Sequence, residues 1–312
     1  MRTKTYQNSV GDRLLIAFCY IFIVLFSILV LLPFWTVLMD SFSGSVVKSG
    51  ARMWIDDFSL EAYESVLSQE SLFTNYGNTF FRTIVGTVLC VGTTFLAAYP
   101  LSRSNFRFRR PITVFIFFTM LSKPNMPFCR TITYLMLFTM YFGGGLIPQY
   151  LLFRDAGLID NRLVLILPSM FSAYNILVMR NFISDIPPEL EESGKIDGAN
   201  DVTIAFRIYL PLMKPILATI ALWAAVGLWN EWFNAMIYIM TPSKQVMQVM
   251  LRRMLMDAQI AAMYDDGIVD ITVQEDAVKA VTIIVTILPI ICAYPFAQKY
   301  FVQGLTSGAV KG

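Results

Sequence analysis

The run from Leu14 to Met39 contains no charged residue. About 20 consecutive apolar residues cross the hydrocarbon core of a bilayer, so this run is long enough to span one with some tilt. A signal peptide has a shorter apolar region followed by small residues at a cleavage site, and this run has neither. It reads as a retained anchor. A buried helix of a large soluble protein is the other alternative. Composition speaks against it, because only 15% of the residues are charged, against about a quarter in ordinary soluble domains.

Further apolar runs predict spans at about 73–100, 131–153, 162–183, 212–240 and 280–301. Lipid offers the backbone no hydrogen bonds, so each is expected to be a helix. The expected fold class is therefore all-α, a polytopic membrane protein with about six transmembrane helices. Pro33, Pro100, Pro168, Pro289 and Pro295 mark kinks or ends. Basic residues set the orientation. Arg2, Lys4, Arg13, Arg103, Arg107, Arg109 and Arg110 fall on one side, with Arg180, Lys195, Arg207, Lys214, Lys299 and Lys311. Both termini are thus expected in the cytoplasm: residues 1–13 first, a transmembrane domain over 14–301, and a tail over 302–312.

An internal repeat complicates the third span. Residues 101–120 read LSRSNFRFRRPITVFIFFTM and residues 121–140 read LSKPNMPFCRTITYLMLFTM. The matching LS starts and FTM ends point to a tandem duplication. Placing the span in the second copy leaves the first on the cytoplasmic surface; placing it near 111–133 would bury Lys123 in lipid, which is expensive. The loops between spans one and two and between spans five and six are acidic, with Asp56, Asp57, Glu61, Asp265, Asp266, Asp270, Glu275 and Asp276. They suit docking of something outside the membrane, or they are simply solvated.

Catalytic and metal chemistry find little support. There is no histidine, the commonest general base and metal ligand. Cys19, Cys90, Cys129 and Cys292 lie far apart and form no metal spacing. No GxxxxGK[ST] occurs: Gly194-Lys195 is followed by Ile196 and lacks the earlier glycine, so it cannot cradle a phosphate. Any ATP and magnesium must sit on another chain, with no cofactor on this one. The net charge of +2 gives no reason to expect nucleic acid.

The stretch from Ser184 to Pro215 reads SDIPPELEESGKIDGANDVTIAFRIYLPLMKP. It predicts two short helices. Ser184 or Asp185 suits a cap of the first, and Pro187 or Pro188 its first turn. Glu189, Glu191 and Glu192 lie near the positive end of its dipole. Gly198 can take the left-handed backbone that ends it. Asn200 or Asp201 caps a second helix running to Pro211, in which Val202, Ala205, Phe206 and Tyr209 share an apolar face. Such a helix pair can fit a groove in a partner protein.

This pattern resembles a known family. Glu192-Ser193-Gly194, then Gly198, then Ile208-Tyr209-Leu210-Pro211 looks like the EAA loop of ABC importer permeases. In that family the loop forms coupling helices seated in a cleft of the ATPase subunit. The resemblance implies a coupling role for Glu191, Glu192, Asp197, Gly198, Ala199, Ile208, Leu210 and Pro211 within loop 184–215. Glu192 would meet a basic residue of the ATPase, and Gly198 would permit the bend. Ser193 and Gly194 depart from the family's two alanines, which weakens the helix slightly.

LAAYPLSR (96–103), GGGLIP (143–148), WNEWF (229–233) and QKYFVQGLTSGAVKG (298–312) are also similar to sugar-importer permeases. The tail resembles that of the maltose importer's smaller permease, which reaches between two ATPase subunits. Gly304, Gly308 and Gly312 then fit an extended tail threaded into a narrow gap. GGGLIP resembles the branch handling complex oligosaccharides. The resemblance implies a bacterial inner-membrane location and alternating access. It also implies these partners: a homologous second permease, two ABC ATPase subunits, an extracytoplasmic solute-binding protein, a sugar or oligosaccharide substrate, and the lipid bilayer.

Polar groups inside spans usually face a cavity or a partner. Asn230 and Glu231, flanked by Trp229 and Trp232, are candidates to hold a sugar, with interfacial anchoring by tryptophan as the alternative. Asn175 is another candidate, with helix–helix hydrogen bonding as its alternative. Three rival readings stay open. A secondary transporter would need charged relays, for which only Glu231, Arg82 and Lys123 qualify. A membrane-bound enzyme would need a catalytic cluster, and none is found. An ABC importer of amino acids or phosphate differs only in substrate.

Overall fold

A computed structural model describes residues 10–44, 53–55, 57–102, 127–263 and 272–309. Among these the architecture is all-helical, apart from one isolated bridge between Ser43 and Phe58. Among the described residues four helical segments are long and apolar enough to cross a membrane, and up to six if each of two bent pairs is one span.

The first helix, α1 (Val10–Ser41), keeps its apolar side chains outward: Leu14, Phe18, Leu29 and Leu31 are all more than half exposed. In water that surface would be prohibitive; in a bilayer it is ordinary. After it comes α2 (Glu61–Leu67), an unexpected short helix in the acidic loop. Its Tyr63 hydroxyl pairs with Ser41 Oγ at 3.0 Å, and its ring stacks on Phe42. Helix α3 (Glu70–Ser102) contains Pro100 without stopping there, and buries Phe95, Ala98, Tyr99 and Leu101.

The third span departs from expectation. Helix α4 (Pro127–Tyr141) and helix α5 (Leu146–Asp155) meet at 109° instead of forming one rod. Gly143, Gly144 and Gly145 cause the break, since three glycines in a row weaken a helix and Gly145 adopts φ +86°. The first copy of the repeat and Lys123 lie outside the described residues. The fourth span, Arg162–Ser184, begins as two tight turns around Pro168 and becomes α6 (Ala173–Ser184), where Ser172 accepts a hydrogen bond from Asn175 N.

Helix α7 (Glu189–Ile196) and the helical run α8 (Asp201–Leu212) form the next loop. The fifth span is shorter than expected: α9 (Lys214–Asn230) stops at Glu231, and α10 (Phe233–Tyr238) follows after a break. Then come α11 (Met247–Met263), a helix in what reads as the second acidic loop, and α12 (Thr272–Ala309). Helix α12 corrects the expected extended tail. Gly304 and Gly308 lie inside it, and Gly312 lies outside the described residues. Two glycines cost about 1 kcal/mol each in a helix, which does not halt a helix already nucleated over a long apolar run.

The chain divides into two units, Met1–Glu70 with Arg253–Leu288, and Ser71–Arg252 with Pro289–Gly312. The first buries Val66, Val281, Thr282 and Thr286. The second holds two apolar clusters. One joins Phe95–Leu101 of α3 to Ile176, Met179 and Ile183 of α6, Ile204, Ala205 and Tyr209 of α8, and Met213, Ile216 and Ile220. The other gathers Val164, Leu165, Ala235, Tyr238, Ile239, Val246 and Val249. Polar clasps tie the segment after α10 in place. Asn78 Nδ2 donates to the carbonyls of Ser243 (2.9 Å) and Gln245 (2.8 Å), and Met247 N donates to Thr79 Oγ1 (2.9 Å). Asp160, at φ +59°, binds Thr241 and Lys244.

Candidate functional site

The loop after α6 is built by local rules that mostly follow the sequence. Neither Ser184 nor Asp185 caps α7, however. Asp185 ends α6, its N–H bonding to the carbonyls of Asn181 and Phe182, and α7 starts after Pro188 without a side-chain cap. Pro188 stands at the N-cap and Pro187 before it, so neither lies in the first turn, and Pro188 has no N–H of its own for a cap to satisfy. At the other end, Ala199 N donates to Gly194 O (2.9 Å) and Gly198 N to Lys195 O (3.0 Å), with Gly198 at φ +78°. This is a Schellman closure, and it needs the left-handed glycine. Asn200 then caps α8, its Oδ1 accepting from Thr203 N at 2.7 Å.

Helix α8 widens to i→i+5 bonding over Ile204–Tyr209. Its buried face is Ile204, Ala205 and Tyr209, while Val202 and Phe206 remain 40% and 48% exposed, so the expected apolar face is only half right. Contact with Gly194 explains the shift. A Cβ on Gly194 would lie 2.9 Å from Ile208 Cδ1 and 3.3 Å from Ile204 Cγ1. The two helices approach closely because residue 194 has no side chain. Glycine here permits the close approach, and a methyl group in its place would make the end of Ile208 turn aside.

The result is a knuckle rooted in the apolar cluster through Ile204, Ala205 and Tyr209. Glu192, Ser193, Asp197, Gly198 and Pro211 are exposed, and Ala199, Ile208 and Leu210 are half-buried. Glu191 pairs with Lys195 one turn on. Ile196 is 85% exposed, and with Leu190, Val202 and Phe206 it gives the knuckle apolar surface left uncovered among the described residues.

A second feature lies where α9 ends. A cavity of about 380 Å³ is lined by Glu231, Asn175, Asn234, Ser169, Trp223 and Cys90, with apolar neighbours. Glu231 Oε1 accepts from Asn234 N at 2.7 Å, and Oε2 faces Arg82 Nη1 at 3.3 Å. Two expected path residues, Asn175 and Glu231, therefore share one cavity. The other three do not line it. Trp229 packs its ring edge-on to Phe80 at 5.1 Å, Asn230 Nδ2 bonds back to Val226 O, and Trp232 lies under the Arg252 guanidinium at 4.8 Å. The aromatic wall is Trp223, beside Tyr174 at 5.7 Å. Trp223, Gly227 and Glu231 follow at intervals of four, one stripe of a helix. That spacing was the sequence signal for Trp223. Among the described residues no three Cys, Asp or Glu side chains gather to hold a metal ion.

Residues 90–307 match the family described as binding-protein-dependent transport system inner membrane component. The chain belongs to that family. It is a multi-pass permease subunit of an ABC importer of the inner membrane, and ATP hydrolysis resides on partner subunits. The permease is 34% identical to Protein LplC of Bacillus subtilis (strain 168) over 284 residues, 90% of each chain. It is also 34% identical to the polygalacturonan/rhamnogalacturonan transport system permease protein YtcP of the same organism, covering 96% of this chain and 99% of YtcP. A chain in the crystal structure of a bacterial ABC transporter involved in the import of the acidic polysaccharide alginate superposes with a TM-score of 0.79. It is 31% identical and covers 96% of this permease and 100% of that chain.

Proposed function

We propose that this permease carries sugars or oligosaccharides and takes its power stroke through the knuckle at residues 184–215. A homologous second permease completes the pathway, two ATPase subunits hold ATP and magnesium, and a solute-binding protein delivers substrate from outside. Both termini lie in the cytoplasm. ATP-driven closure of the ATPases moves the knuckle, and the pathway opens alternately to each side. Glu192 meets a basic ATPase residue, while Gly198 sets the bend. Gly304, Gly308 and Gly312 belong to a C-terminal segment that contacts the ATPases, as a helix through Ala309.

One observation carries the coupling part. The exposed Ile196 and Glu192 stand on a helix locked at Gly194 against Ile204 and Ile208, whose run is embedded in the cluster with α3 and α6. A push on the exposed face is therefore passed to membrane helices through close-packed side chains, which transmit displacement with little compression. The sugar part is supported by the relatives named for polysaccharide transport and by the Trp-walled cavity, mainly apolar but with Ser169, Asn175, Glu231 and Asn234 in its lining.

The test is Glu192→Lys in the assembled importer. Expression and assembly of the permease are expected to persist while substrate-stimulated ATPase activity disappears. Unchanged stimulation would remove the coupling role. Uptake of labelled oligosaccharides set against labelled amino acids decides the substrate class.

A further inference from the structure

Resting on that reading of the substrate, we infer that the cavity at the end of α9 accepts an uncharged sugar ring and turns away uronate, with Glu231 as the residue that discriminates. The cavity, at about 380 Å³, falls near the lower end of the range of about 300–1,000 Å³ in which small ligands bind. Its wall carries one formal charge, the Glu231 carboxylate, and among the described lining residues there is no Lys or Arg. Arg82 is 2% exposed, does not line the cavity, and is turned onto Glu231 Oε2.

Glu231 is well arranged to receive hydroxyl groups. An ionised carboxylate offers about four lone-pair positions. Asn234 N and Arg82 Nη1 each take one, which leaves acceptor capacity on a side chain that is 29% exposed. Ser169, Asn175 and Asn234 add groups that both donate and accept. Trp223 is 38% exposed and supplies an aromatic face for the apolar side of a pyranose. A neutral sugar ring satisfies all of these. A uronate carboxylate would have to leave water without a cation among the described lining residues to pair with and approach Glu231, a like charge, and both are unfavourable. The likeness to the alginate importer is one of fold, and a shared fold leaves selectivity to the side chains in the site.

The experiment places a reporter in the cavity. Ser169→Cys in the purified complete importer, held in lipid nanodiscs, is labelled with a maleimide in the presence of neutral oligosaccharides or of oligogalacturonates. The labelling rate is expected to fall about tenfold with neutral sugars, and to change less than about twofold with uronates at equal concentration. In the Arg82→Gln/Glu231→Gln pair, which removes the carboxylate without leaving a buried guanidinium behind, the like charge is gone and protection by uronates is expected to rise toward that by neutral sugars. Protection of the Ser169→Cys protein by uronates equal to or better than that by neutral sugars overturns the inference while the sugar reading stands. Protection by neither class, together with no uptake of either, overturns both. If the paired substitution fails to assemble, the contrast measured in the Ser169→Cys protein alone decides.

Discussion

Arg82 of α3 and Glu231, at the break after α9, form an ion pair in which each partner depends on the other to a different degree. Arg82 Nη1 lies 3.3 Å from Glu231 Oε2, and Arg82 is almost wholly buried. Its Nε and Nη2 are buried without a hydrogen-bond partner among the described residues. Glu231, in contrast, also accepts from Asn234 N and faces the cavity. Removing the carboxylate strands a buried guanidinium, whereas removing the guanidinium leaves a carboxylate that still has a donor and access to the cavity. Glu231→Gln is therefore expected to destabilise the permease by about 3 kcal/mol and Arg82→Gln by clearly less. The Arg82→Gln/Glu231→Gln pair should recover much of the loss. Thermal unfolding of the four proteins in detergent gives the cycle, and equal losses for the two single variants would contradict the asymmetry.

Gly194 is where α7 meets α8. A methyl group there reaches Ile208 Cδ1 at 2.9 Å, and that atom is the end of a side chain able to turn aside. The helix gains about 1 kcal/mol when glycine becomes alanine, so Gly194→Ala is expected to be nearly neutral in stability. Gly194→Leu has no such escape. It should separate the helices, destabilise the permease by about 1–3 kcal/mol, and lower substrate-stimulated ATPase activity. The ratio of ATPase activity to transport reads the effect; full coupling in Gly194→Leu would show that the contact carries no motion.

Asn78 anchors the segment after α10 through two carbonyls, those of Ser243 and Gln245. Both acceptors lose a donor in Asn78→Ala, and the site is buried, so a loss of about 1–3 kcal/mol is expected. Hydrogen exchange should rise locally over 243–247 before the rest of the permease responds. A uniform rise would instead mean that Asn78 supports the helices generally.

Legibility in the sequence followed the range of the forces involved. The spans at α1, α3 and α12 could be read from apolar runs, because burial in lipid asks only for length and composition. Gly198 and Asn200 could be read too, since a left-handed closure and a capping side chain act within a few residues. Gly194 could not. Its reason is Ile208, fourteen positions on and across a turn, and from the sequence it looked only like a weak helix former. The breaks at Gly143–Gly145 and at Glu231 were legible as irregularities, but not as a turn of 109° or the mouth of a cavity. Trp229 and Trp232 flank the Asn230–Glu231 pair in sequence. Helical geometry points neighbours in different directions, and the side chain four-fold spaced from Glu231 through Gly227, Trp223, is the one that shares its cavity.

Asp160 offers a test by pH. Its carboxylate accepts from Met240 N (3.0 Å), Thr241 N (2.9 Å), Thr241 Oγ1 (2.6 Å) and Lys244 Nζ (2.7 Å). The Lys244 ammonium foremost, then the Thr241 hydroxyl and amide, hold its carboxyl well below the usual carboxylate range. A carboxyl whose folded pKa is depressed contributes stability above its unfolded value, about 3.9, and that contribution is lost as pH falls toward the folded value. Asp160→Asn removes the charge while keeping a residue that tolerates the φ of +59°. The melting temperature of the wild-type permease should therefore exceed that of Asp160→Asn by a constant margin from pH 8 to about 5, and the margin should shrink below about pH 4. Were the margin to persist unchanged in acid, shape and not charge would hold the loop at Asp160 to the segment at Thr241.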